Sequence, residues 1–329
     1  FPDADVLALA DSPLGRLEAA LYWSTGRSPR QDRWARSVRL IHAHMGYTGV
    51  HALGAARRHN LPLVTSFYGH DVSLGGSRDR FLPAYWPYAA CREQLFRRGD
   101  RFLVLSNHMG AALTQQGCPP EKLRVVRLGV DLDRFAGPRP PRAANAPLTV
   151  LMVGREVEKK GFDDGLRACA AARAAGVDLR IVLLGTGDSG QANLRRLAAT
   201  LELPVQWPDP RSEVPRAMAD ADVLLVPSRT AASGDQEGTP TVICEGSAAG
   251  LPIVATQHAG IPEQVEHGRT GLLVPERDCA GLAAALVTLA ADPELRRAMG
   301  EAGRLKMHAE YSRDTHRDAL LAVYRELLP

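Results

Sequence analysis

At 329 residues, 45% hydrophobic and 23% charged, the chain is too long for one ordinary small core, and two domains of a soluble globular protein are expected. Its apolar runs fall short of the roughly 18 residues a membrane-spanning helix needs, and five widely spaced cysteines with no C-x-x-C pair argue against a zinc knuckle or a disulfide framework and fit a reducing cytosol. The net charge of +3 is uneven: residues 1–136 carry 18 basic and 12 acidic residues, and residues 137–329 carry 22 and 25, so the first part suits an anionic surface or a phosphate-bearing partner.

Short apolar runs alternate with helical stretches, the pattern of an α/β fold with a parallel sheet. Strands are predicted at 5–9, 40–44, 63–67, 101–105 and 123–128. "FAGPRPPRAANAP" (135–147) then brings four prolines without apolar periodicity and reads as a linker. A second series follows, with strands predicted at 148–154, 179–185, 204–207, 222–228 and 251–256 and helix from about 293 onward. Two successive open α/β domains imply a cleft faced by the carboxyl ends of strands from both sheets.

"GDQEGTPTVICEGSAAGLP" (234–252) places two carboxylates, Glu237 and Glu245, around a helix start. Thr239 suits an N-cap and Pro240 the first helical position, while Gly250 and Pro252 mark an end, so a helix is predicted over about 240–249. The amides of Thr241 and Val242 are then unpaired donors at its positive end, suited to an anion. Glu245 lies on the same helix face one turn deeper. There a carboxylate repels a phosphate but accepts hydrogen bonds from neutral hydroxyls, such as those of a ribose. Glu237, on the preceding loop, is placed to do the same on the other side of the phosphates. A sugar, a phosphate bridge and a ribose in a row describe a nucleotide sugar; two solvated glutamates are the other reading. In "VGREVEKKGF" (153–162), Arg155 and Lys160 follow a strand, where cations neutralise a diphosphate; a solvated basic loop is the alternative.

Together "GREVEKKGF", "ADVLLVPS", "GDQEGTPTVICEGSAAGLPIVAT" and "GIPEQVEHGRTGLLVPERD" resemble the retaining family 4 glycosyltransferases of the GT-B fold, with Glu237 and Glu245 as the E-x7-E signature. "TAASGDQEG", "SFYGHDVS" and "IHAHMG" bring the likeness nearest to the branch that builds bacterial exopolysaccharides such as colanic acid. The resemblance spans about residues 40 to 310. It implies two Rossmann-like α/β domains facing a central cleft: an acceptor-side domain (1–136), the linker (137–147), a donor-binding domain (148–310) and a C-terminal helix (311–329) crossing back to the first.

By the same resemblance Arg155 and Lys160 hold the donor diphosphate, Glu245 the ribose and Glu237 the transferred sugar, with the backbone of Gly238, Thr239, Pro240, Thr241 and Val242 around sugar and phosphate. Trp207 and Asp209 are candidate neighbours of the nucleobase. On the acceptor side it points to His44, Gly46, Tyr68, His70 and Ser106. The sequence departs from the family at "FYGHD" (67–71): Tyr68 stands where a histidine is expected to reach the anomeric centre, and His70 follows two residues later. On an extended segment both side chains share a face, so His70 is the candidate substitute. The same periodicity puts His42 and His44 on one face, for packing or for an acceptor. A second departure is that the family's opening strand and Gly-rich turn are not found before Asp5, which predicts an incomplete or abbreviated first domain; no signal peptide is read at Phe1.

Other motifs compete. "LLGTGDSG" (183–190) carries G-x-G-x-x-G after a strand and by itself suggests NAD, but the glycosyltransferases have a similar turn on that strand. The D-x-D pairs Asp3/Asp5, Asp131/Asp133 and Asp220/Asp222 are read as structural, and no metal is expected. Arg30, Arg33 and Arg36 around Trp34 form either a solvated face or a contact with an anionic membrane. The expected activity is retaining, metal-independent transfer of a sugar from a nucleotide-diphosphate donor to a hydroxyl of a glycan, lipid-linked or small-molecule acceptor, in the cytoplasm, with no cofactor and no nucleic acid. A nucleotide-sugar epimerase of the same fold and an inactive nucleotide-binding module are the alternatives.

Overall fold

The computed structural model describes residues 35–73, 85–137, 146–186, 191–208 and 210–328. The predicted strand 5–9, Asp3/Asp5, Arg30 to Trp34 and Asp209 lie outside them, as do most of the linker and the last four residues of "LLGTGDSG". Contacts divide the chain into two compact units, one of residues up to Val104 with Gly110–Val125 and Leu320 onward, the other of Leu105–Met109 and Val126–Ala319. The divide thus precedes the proline-rich stretch. Residues 126–136 side with the second unit because Leu132 and Phe135 are buried in its core and Val130 bridges to Ser312.

In the first unit, β1 (Ile41–His44), β2 (Leu63–Ser66), β3 (Arg101–Val104) and β4 (Leu123–Val125) form one parallel sheet in that order. The helices Gly46–Arg58, Trp86–Arg98 and Asn107–Gln115 lie in its three successive connections. Asp71, fully buried, accepts hydrogen bonds from the N–H groups of Gly46 (2.8 Å), Tyr68 (3.0 Å) and Gly69 (3.1 Å). One carboxylate therefore ties the turn after β1 to the turn after β2.

The second unit holds a six-stranded parallel sheet in the order β10-β9-β8-β5-β6-β7. Its strands are β5 (Leu148–Arg155), β6 (Leu179–Thr186), β7 (Val205–Gln206), β8 (Val223–Val226), β9 (Ile253–Thr256) and β10 (Gly271–Val274). The sequence reading missed β10, a four-residue apolar run without alternation. Period-two alternation sends Val150, Met152, Ile181, Leu183, Val223, Leu225 and Val254 to one face, packed with Phe162, Leu166, Leu282 and Leu286. Leu151, Leu184, Leu224, Val226, Ile253 and Ala255 face the other way, against Ile243, Met307 and Tyr311. Helices on both faces explain why these strands read as unbroken apolar runs. The strand order reverses between β5 and β8, and in open α/β sheets ligands bind outside the carboxyl ends of strands at such a switch point.

Gly161 shapes that edge. Its φ of +60° is left-handed, and a Cβ there falls on the carbonyl oxygen of Pro227, just beyond β8. The turn after β5 is thereby pressed against the end of β8. Gly161→Ala is expected to cost at least about 2 kcal/mol, combining left-handed strain with a backbone clash; urea unfolding of variant and parent checks this.

Candidate functional site

The second unit gathers its polar groups at the switch point. Lys160, at the end of the turn Glu158–Lys160 after β5, reaches the loop after β8 and pairs with Glu237 at 3.1 Å, both side chains largely buried (14% and 9% exposed). Lys159 diverges from it to hold the same loop, binding Asp235 at 3.0 Å and the carbonyl of Gln236 at 3.1 Å. The neighbouring side chains thus split, one to the loop backbone and one to its carboxylate.

Glu237 uses only one oxygen. Its Oε1 is buried with no hydrogen-bond partner among the described residues, and so is Oγ1 of Thr239, two residues on. An unmet buried acceptor costs about 1–3 kcal/mol, and breaking a buried ion pair costs about 3–5 kcal/mol. Removing Lys160 alone would therefore leave a costly buried charge on Glu237, whose second oxygen has no donor among the described residues. The backbone N–H of Glu237 donates to Nε2 of His258 (3.0 Å), and Nδ1 of His258 contacts Glu276 at 2.6 Å. Burial raises the Glu276 carboxyl, but the Thr230 N–H and His258 hydrogen bonds outweigh that and hold it below the usual range.

The helix after this loop spans Thr241–Ala248, which corrects the predicted start. Pro240 is extended (ψ 116°) and stands at the N-cap, Thr239 caps nothing, and no side chain bonds the first turn. The proline carbonyl accepts from two donors, the Ile243 N–H of the first turn at 3.3 Å and Gln264 Nε2 at 3.0 Å. Thr241 is exposed and Val242 is buried in the core, and their amides belong to the uncapped first turn of the helix. Glu245 is half-buried one turn down; burial pushes its carboxyl up, partly offset by Arg134. Arg155 is exposed at the end of β5. Trp207 follows β7, packs against the core edge and lies under the Arg195 guanidinium at 4.8 Å.

The acceptor-side candidates fall in different places. In the first unit His44 meets the Tyr68 hydroxyl at 2.5 Å and stacks on His42 at 4.5 Å. His42 in turn contacts Ser66 and Tyr324, each at 2.7 Å. The expectation that Tyr68 and His70 share a face fails. Gly69 (φ +121°) turns the chain and a short helix starts at His70, which instead meets the Tyr85 hydroxyl at 3.1 Å. Gly46 is buried, a Cβ there lying 2.7 Å from the Phe67 and Tyr88 rings. Ser106 belongs to the second unit, where its hydroxyl accepts the Met109 N–H (3.2 Å) at the start of the helix Asn107–Gln115.

Sequence reasoning missed several groups around this site. Lys159, His258 and Glu276 are named above; a fourth, Arg229, is buried between Asp163 (3.1 Å) and Asp164 (2.5 Å). Arg229, His258 and Glu276 each follow a strand by two or three residues, a position that ranks them as candidates once the strands are known. Asp222, of one D-x-D pair, accepts the Thr149 N–H at 2.8 Å and Asp131 meets Arg313 at 3.1 Å. Among the described residues no cluster of three or more His, Cys, Asp or Glu is placed to hold a metal ion.

Two parallel-sheet units, the second doubly wound with polar groups converging on its switch point, define an α/β protein of the GT-B class. The chain belongs to the family 4 glycosyltransferases: residues 4–134 match "Glycosyltransferase Family 4" and residues 147–292 match "Glycosyl transferases group 1". It is 41% identical over 253 residues, 74% of its length, to the putative colanic acid biosynthesis glycosyltransferase WcaL of Salmonella typhimurium. That match spans 59% of the Salmonella protein, so the chain covers about three fifths of this relative. It is 30% identical to the D-inositol 3-phosphate glycosyltransferase of Saccharomonospora viridis over 88% of this chain and 70% of that one. Among solved structures, Anabaena Alr3699/HepE in complex with UDP and glucose superposes with a TM-score of 0.75, covering 96% of this chain and 84% of that one at 21% identity.

The raised carboxyl of Glu245 has a signed consequence. A group that binds its proton more tightly folded than unfolded makes the ionised protein less stable, a cost absent below the ordinary value of 4.5 and complete above the raised one. Glu245→Gln is therefore expected to raise Tm at neutral pH, with the gain vanishing as pH falls below the ordinary glutamate value. Thermal melts across pH test this.

Proposed function

We propose that this chain transfers a sugar from a nucleotide-diphosphate-sugar donor, with retention of configuration, to a hydroxyl of a growing exopolysaccharide or its lipid-linked precursor. The observation that carries the reading is the buried Lys160–Glu237 pair, with one carboxylate oxygen unmet, next to the N-terminal turn of the helix Thr241–Ala248. A cation and free amides suit a diphosphate; acceptor-only carboxylates suit hydroxyls on either side of it. The Salmonella relative's name supplies the exopolysaccharide class, and the Anabaena complex shows UDP and glucose held on this fold.

In this reading Lys160, Arg155 and the amides of Thr241 and Val242 hold the diphosphate. Glu245 accepts from the ribose and Glu237 Oε1 from the transferred sugar, with Trp207 toward the nucleobase. The acceptor oxygen bonds to the anomeric carbon as the bond from that carbon to the phosphate oxygen breaks on the same face, and the acceptor proton passes to the departing phosphate. Charge builds on the diphosphate as that bond breaks, and a preorganised cation and helix amides stabilise it there without reorganising. The reading routes no step through a metal. Acceptor recognition is assigned to the first unit, through His44, Tyr68 and His70.

Calorimetry with UDP, GDP and ADP tests donor binding first, and binding of none of the three would count against the reading. With the nucleotide that binds, Glu245→Ala is expected to weaken affinity at least about tenfold, the loss of about 1.4 kcal/mol in hydrogen bonding to a charged acceptor. Glu237→Ala is expected to leave nucleotide affinity within about threefold while transfer falls about 10²-fold or more. Equal loss of nucleotide affinity in both variants contradicts the assignment.

A further inference from the structure

We propose that His258 and Glu276 are positioning residues that set the place of Glu237 in the site; this rests on the reading of Glu237 as the residue facing the transferred sugar. His258 is 1% exposed, two residues past β9, and has no route to substrate except through the groups it touches. Its Nε2 lies 3.0 Å from the backbone nitrogen of Glu237. A backbone N–H can only donate, so Nε2 carries no proton and accepts. The hydrogen of the neutral ring then sits on Nδ1, where it donates to Glu276 Oε1 at 2.6 Å. The other oxygen of Glu276 accepts the Thr230 N–H at 2.9 Å, and Arg277 binds the Thr230 carbonyl at 2.9 Å. Glu276 thus anchors to the start of the 230–238 loop, selects the tautomer of His258, and through it fixes the far end of the same loop at Glu237.

Lys159 and His258 hold the two ends of one peptide group, the Gln236 carbonyl and the Glu237 N–H. Lys159 holds Asp235 and the Gln236 carbonyl, and Gln236 Nε2 reaches Thr230 Oγ1 at 3.3 Å. Lys160 grips only the tip of the Glu237 side chain. The hydrogen bond to His258 is the tie made by the Glu237 N–H itself; with Lys159 on the carbonyl of the same peptide it sets the plane from which the side chain and its unmet Oε1 project. The arrangement of carboxylate, imidazole and backbone N–H acts at one remove from the chemistry: it orients the loop and transfers no proton to substrate.

The decisive measurement needs neither donor nor acceptor. In long-range proton–nitrogen spectra of the chain labelled with nitrogen-15 histidine, the signal that disappears in His258→Gln is expected to show a protonated Nδ1 and a bare Nε2. A protonated Nε2 overturns the proposal whatever the activity. With UDP-glucose as probe donor, His258→Phe is expected to lower kcat by about 10²-fold, the effect of a misplaced group of about 1 Å, while UDP affinity by calorimetry stays within about threefold. His258→Gln, whose amide oxygen can accept the Glu237 N–H, is expected to recover most of the rate. Equal losses in the Phe and Gln variants, or UDP affinity falling in step with kcat, overturn it. A parent chain inert toward UDP-glucose counts against the donor reading alone, and the spectra then decide this proposal.

Discussion

The ion pair between Lys160 and Glu237 is the constraint on which the second unit's site depends. Two charges out of water cost several kcal/mol each, and their attraction repays that only with close geometry and further hydrogen bonds. The fold provides the geometry by pressing the turn after β5 onto the end of β8, which only a glycine at 161 permits. It provides only part of the hydrogen bonding, since Glu237 Oε1 is left unmet.

The same trade appears at Glu245. A carboxylate drawn a turn down a helix into partial burial destabilises the ionised protein, as its raised carboxyl shows. A low-dielectric setting that penalises the bare charge also strengthens any hydrogen bond it accepts. Two glutamates, one ion-paired with a lysine and short of one donor, the other half-buried with Arg134 only partly offsetting its burial, differ in their surroundings. The loop that carries Glu237 is braced from three directions, by Lys159, by Gln236 onto Thr230 and by His258. Such bracing is what holds a carboxylate within the tolerance that positioning demands.

Much of the fold is legible in the chain because parallel strands buried on both faces are continuous apolar runs, and nine of the ten strands among the described residues lie close to predicted ones. The tenth, β10, was four residues long and had no pattern to separate it from loop. The helix over 241–248 differs from the expected one by one position at its start: Thr-Pro is a good helix start in isolation, yet here Pro240 is extended at the N-cap and shares its carbonyl between the Ile243 N–H and Gln264, a residue 24 positions away. Local propensity had no access to that partner. Tyr68 and His70 were separated for the opposite reason, a local glycine turn inside what read as an extended segment.

What the sequence by itself determined is the class of fold, the family by resemblance, and the candidate residues Arg155, Lys160, Glu237 and Glu245, because these rest on apolar periodicity and on short motifs whose spacing is local. What only the tertiary structure decided is who partners whom. Whether Lys160 faces a carboxylate, whether Glu237 keeps an oxygen free, and that a histidine 21 residues away and a glutamate 18 beyond it hold the loop, all depend on which strand ends become neighbours at a reversal of strand order. That adjacency joins residues far apart in the chain, and no local pattern of side chains encodes it.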